Sequence, residues 1–110
     1  MQNYKDLKVW DKAHQLVLLV YAKTQNFPKE ETFGLTSQLR RASTSIPTNI
    51  AEGAGRFTQK DFASFLQISL GSCHEIEYLI LLSKELGYIS NEDFKLCDKE
   101  IGEIKECLYH

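Results

Sequence analysis

The sequence predicts an all-α protein, an antiparallel up-down-up-down four-helix bundle, on three observations. Four segments carry apolar residues at the three–four spacing of a helix, and no segment alternates with the period of a strand. The connections around Pro28, Phe57 and Ser90 are short, which forces consecutive helices to run antiparallel. With 110 residues, 43% of them hydrophobic and 25% charged, the chain suits one domain over residues 1–110 and one core.

The first helix is expected from about Leu7 to Asn26, with Trp10, Ala13, Val17, Val20, Thr24 and Phe27 on one face. Leu16, Leu18 and Leu19 widen that face beyond the ~100° stripe that a bundle helix needs. The surplus points to burial on two sides, hence to assembly with further copies, against the alternative of one deep core. Pro28 ends this helix because it lacks an N–H and holds Phe27 extended.

The second helix is expected from about Glu31 to Gly55, with Leu35, Leu39, Ala42, Ile46, Ile50 and Gly53 on its apolar face. Pro47 lies inside that pattern and predicts a kink rather than an end, with the Ser43 carbonyl left free. Thr58-Gln59-Lys60-Asp61 has capping-box form and opens a third helix to about Leu86. Phe62, Phe65, Leu66, Ser69, Cys73, Ile76, Ile80 and Ser83 face inward on it, while Gly71 and Ser72 are expected to admit a neighbouring helix. Gly87 is a natural C-terminal cap, and Ser90-Asn91-Glu92-Asp93 starts a fourth helix to about Leu108. Its stripe is Phe94, Cys97, Ile101, Ile104 and Leu108.

The opening residues have no apolar signal-peptide core, and the longest apolar run, residues 16–22, falls far short of the ~20 that span a membrane. Cys73, Cys97 and Cys107 are odd in number and contain no CxxC, which suits reduced thiols and a cytoplasmic location. The net charge of −2 divides unevenly, +4 over residues 1–60 and −6 over residues 61–110. A basic half of this kind suits an acidic partner, either a nucleic acid or the acidic half of another copy, or is simply a dipolar surface.

Catalytic and metal motifs fail on inspection. A di-iron site needs two Glu-x-x-His pairs and two further Glu residues, but only Asp11-Lys12-Ala13-His14 approaches one. His74-Glu75-Ile76-Glu77-Tyr78 places Tyr78 where a zincin needs its second His. Cys73 and His74 are adjacent, so on a helix they point about 100° apart and form no dyad. Cys97, Cys107 and His110 do not complete a zinc ligand set. The glycines of residues 51–56 follow no strand and match neither GxGxxG nor GK[ST], so they read as a packing and exit feature. No enzyme, cofactor or metal is expected.

The informative polar set is on the second helix, where Arg41, Ser45, Asn49, Glu52 and Arg56 form one stripe. In a structural reading, Arg40 or Arg41 meets Glu75 or Glu77 on the third helix, or acidic groups of another subunit, while Asn49 caps a joint. In a binding reading, Arg40, Arg41, Arg56 and Lys60 face a phosphate backbone. Packed polar joints and ion pairs are the commoner use of such residues, so the structural reading is preferred. Phe57 is the best nearby candidate for base stacking.

The stretches LKVWDKAHQLVLLVY (7–21), FGLTSQLRRASTSIPTNIAEGAGR (33–56), FASFLQISLGSCHEIEYLI (62–80) and ELGYIS (85–90) resemble the four helix bundle protein family. That family includes proteins encoded in intervening sequences of bacterial large-subunit ribosomal RNA genes. Its characterised relatives include the accessory protein of diversity-generating retroelements, a pentameric barrel with a basic surface that works with a reverse transcriptase and RNA. The resemblance implies a homo-oligomeric ring, plausibly pentameric, without catalytic activity: a scaffold or adaptor associated with RNA or with a nucleic-acid-processing protein. The alternative it implies is an RNA- or DNA-binding accessory factor using the basic first half. The pI of 5.9 departs from the basic accessory protein and argues against strong general nucleic-acid binding.

Overall fold

The computed structural model describes residues 2–109. Among them are four α-helices and no strand: α1 (Lys8–Thr24), α2 (Leu35–Ala54), α3 (Gln59–Glu85) and α4 (Asn91–Tyr109). Single 3-10 turns, Tyr4–Asp6 and Lys29–Glu31, precede α1 and α2. Each helix packs on its neighbours in sequence and α1 also packs on α4, which closes a four-helix bundle of 44 × 25 × 19 Å. The core draws Leu16 and Val20 from α1, Leu39, Ile46 and Ile50 from α2, Ile76 and Ile80 from α3, and Cys97, Ile101 and Ile104 from α4.

The helix ends follow the local chemistry of the sequence. The Thr58 hydroxyl accepts the Asp61 N–H at 3.1 Å and the Ser90 hydroxyl accepts the Asp93 N–H at 3.0 Å, so both caps satisfy orphan donors of a first turn. At the end of α3, Gly87 adopts φ +80°. Its N–H bonds the Lys84 carbonyl and the Tyr88 N–H bonds that of Ser83, the paired bonds of a Schellman turn. Pro47 lies buried inside α2 and does not end it.

Three expectations need correction. On α1 the core seam runs through Leu16, fully buried, and not through Val17, which is half-buried. Leu19 packs against the core while Leu18 stays 52% exposed, so the wide apolar face is only partly covered within one chain. Helix α2 begins at Leu35 rather than near Glu31, because Gly34 takes a non-helical conformation and the Glu31 carboxylate turns back to accept the Leu35 N–H at 3.1 Å. Gly71 is exposed, with nothing within 4 Å of where a Cβ would stand. Ser72 does face α2, bonding Ser45, and the other close approach of α2 and α3 is at Gly53, where a Cβ would stand 2.8 Å from Phe65 Cβ and from Phe62 Cδ1.

Candidate functional site

The polar stripe of α2 is built around its contact with α3. Small residues bring the two helices together: the Ser69 hydroxyl donates to the Ile46 carbonyl at 2.9 Å, and the Ser72 hydroxyl donates to Ser45 Oγ at 2.9 Å. Asn49 caps this joint, its Nδ2 donating to the Ser45 carbonyl at 2.8 Å and to Ser45 Oγ at 3.1 Å. No buried side-chain nitrogen or oxygen among the described residues lacks a partner, so the joint is a satisfied network.

The cationic residues do not form one patch. Arg40 folds back over α1: its Nε donates to Thr24 Oγ1 at 2.9 Å, its Nη2 to the Tyr21 carbonyl at 3.4 Å, and its guanidinium lies 4.5 Å from the Tyr21 ring centre. Arg41 is exposed and borders a shallow groove of about 290 Å³ with Gln38, Ala42, Ser45 and Glu75. Arg56 stacks on the Phe65 ring at 4.7 Å and lies 3.6 Å from Glu52, an exposed ion pair one turn apart. Lys60 is exposed on the first turn of α3. Helical rise puts Arg41 about 20 Å from the Ala54 end of α2, and Arg56 lies in the turn beyond that end, so the two basic positions stand apart.

Of the two acidic residues expected opposite the arginines, Glu75 shares the groove with Arg41. Glu77 instead accepts from Lys105 of α4 at 3.0 Å, a bond that raises the lysine's pKa above its ordinary value. Phe57, at the turn between α2 and α3, is 87% exposed.

The sequence reading missed an aromatic group at the same end of α2. Trp10 and His14 stack with ring centres 5.1 Å apart, Tyr4 meets Trp10 edge-on, and all three line a groove of about 370 Å³ with Pro47, Thr48, Ala51 and Glu52. The four-residue spacing of Trp10 and His14 was the available signal.

Two of the three cysteines are packing residues. Cys73 and Cys97 are fully buried in the core, and burial pushes their thiols up to about 12 and about 11, which suppresses the reactive thiolate. No group of three or more His, Cys, Asp or Glu among the described residues is placed to hold a metal ion, and His110 lies outside the described residues. No helix among them is long and apolar enough to cross a membrane.

The sequence matches the family model described as 23S rRNA-intervening sequence protein over residues 5–110. A solved structure from Bacteroides thetaiotaomicron is similar in fold, with a TM-score of 0.81 and 28% identity over 91% of this chain and 94% of that one. It is described as a protein with unknown function from the S23 ribosomal protein family. No curated protein matches the chain. Residues 5–110 are nearly the whole of the bundle just described, and the chain belongs to the 23S rRNA-intervening sequence protein family.

Proposed function

We propose that this protein is a non-catalytic, homo-oligomeric scaffold or adaptor of the cytoplasm, built from bundles whose helices alternate in direction and associated with RNA. The alternation is supported by two ion pairs, Lys12 with Glu103 at 3.2 Å and Lys23 with Asp93 at 3.1 Å, which join the start of α1 to the end of α4 and the reverse. Three free cysteines suit a reducing compartment.

The observation that carries the assembly is the apolar side chain left at the surface. Leu18 and Ile68 are each 52% exposed, Tyr78 60%, Phe57 87% and Phe33 96%. The accessible surface, 6710 Å², exceeds the ~6,200 Å² expected for a compact monomer of this mass. A ring of copies would cover such residues, and the family resemblance makes five the expected number. Native mass spectrometry tests this: one integer multiple of the 12.7 kDa chain is expected, and monomer alone overturns it.

An RNA- or DNA-binding accessory role is the second reading, favoured by exposed Arg41 and Lys60 on the basic first half. Repetition around a ring multiplies such weak contacts.

A further inference from the structure

Phe33 stands out on this surface. It is 96% exposed, the highest value among the large hydrophobic residues, yet its turn is braced rather than loose. The Glu31 carboxylate accepts the Leu35 N–H at 3.1 Å with one oxygen and the Tyr88 hydroxyl at 3.1 Å with the other. Tyr88 is itself held by Phe27, with ring centres 5.3 Å apart. A fixed backbone presenting a bare phenyl ring is a preorganised anchor, because little ordering remains to be done on contact.

A matching socket lies on the opposite layer. Between α3 and α4 a groove of about 290 Å³ is lined by Tyr78, Leu81 and Phe94, with His74, Glu77 and Asp98 around it. Leu81 lies within about 6 Å of the end of α3, and Phe94 falls in the first turn of α4. The Tyr88–Glu31 bond ties the α3–α4 turn to the α1–α2 turn, so anchor and groove sit at the same end of the bundle.

We propose that Phe33 of one protomer docks into the Tyr78–Leu81–Phe94 groove of a second copy. The inference rests on the homo-oligomeric reading above and specifies its interface. Charge argues for a second copy as the occupant: residues 1–58, which include α1 and α2, carry +3, and residues 59–110, which include α3 and α4, carry −5. The two layers attract through their overall charges rather than at the anchor itself, where Glu30 and Glu31 closely precede Phe33 in sequence, and Glu77 and Asp98 beside the groove disfavour a phosphate backbone there. Anchor and socket lie on different layers at one level, so the contact is heterologous. A contact of this kind makes a ring when the rotation between copies closes.

The test uses two exposed positions, Phe33→Ser and Leu81→Glu, with solution mass read by light scattering and helix content by circular dichroism. Each variant is expected to keep its helix and fall to monomer, with assembly weakened ~30-fold or more, as for an aromatic anchor. Mixed together they are expected to form a two-chain species, since the first retains its groove and the second its anchor. Variants that assemble like the wild type would overturn the docking and leave the oligomeric reading standing. Helical variants that stay monomeric when mixed would also overturn it. A monomeric wild type would overturn both readings.

Discussion

Ser69 of α3 donates its hydroxyl to the carbonyl of Ile46 on α2, 2.9 Å away and one residue before Pro47. Both residues are fully buried, so a backbone oxygen in the core carries a side-chain bond from the facing helix. The bond sets how closely the helices approach along the segment that carries the polar stripe. Ser69→Ala is expected to destabilise the fold by about 1 kcal/mol and Ser69→Leu by about 1–3 kcal/mol. Urea unfolding at one fixed chain concentration checks both.

Two glycines should respond with opposite signs. Gly53→Ala puts a methyl group 2.8 Å from the Phe65 Cβ, which cannot rotate away, and the strain of about 1–3 kcal/mol exceeds the helix-propensity gain of about 1 kcal/mol. Gly71→Ala meets nothing and should stabilise by roughly that propensity gain. Paired thermal melts of the two variants read the difference directly.

Alkaline pH should unfold the protein through its core thiols. Cys73 rises from 9.0 to about 12 on folding and Cys97 to about 11, because burial opposes the thiolate. The unfolded chain therefore ionises first, so stability is complete below pH 9 and falls as pH climbs toward the folded values. Near pH 10.5 the Cys73 contribution alone is a loss of about 2 kcal/mol. Lys12, raised by its bond to Glu103, adds in the same direction above 10.5. Denaturation measured at neutral pH and near pH 10.5 should show the drop, and Cys73→Ala should flatten it.

The arginines should separate by role. Arg40→Ala removes the bonds to Thr24 and Tyr21 and is expected to cost about 1–2 kcal/mol of stability without altering RNA binding. Arg41→Ala with Lys60→Ala should leave stability unchanged and lower the salt slope of RNA binding by about 2. Fluorescence anisotropy of a structured RNA over a salt series measures this. No binding at low salt would remove RNA from the account and leave a protein-interaction scaffold.

Much of the fold was legible because it is written in local chemistry. Thr58 and Ser90 cap as their spacing to Asp61 and Asp93 requires, Gly87 closes α3, and the faces of α2 and α4 follow from the helical period. What failed depends on contacts between segments far apart in sequence. Glu31 reads as a helical residue until Tyr88, 57 positions away, and the Leu35 N–H claim its carboxylate. Gly53 was legible from its place on the apolar face of α2, whereas Gly71 was expected to admit a neighbouring helix that its outward face never meets. The site was less legible for the same reason. Spacing grouped Arg41 with Arg56, but it carried no sign that Arg40 turns back onto Thr24 and Tyr21.

Assembly is the claim on which the functional reading depends, and small-angle X-ray scattering from the wild-type chain at micromolar concentration tests it most directly. An assembled protein gives a scattering mass of several 12.7 kDa chains and a radius of gyration well above the 14.1 Å of the single bundle, which is the expected result. A mass of one chain with a radius near 14.1 Å would contradict it.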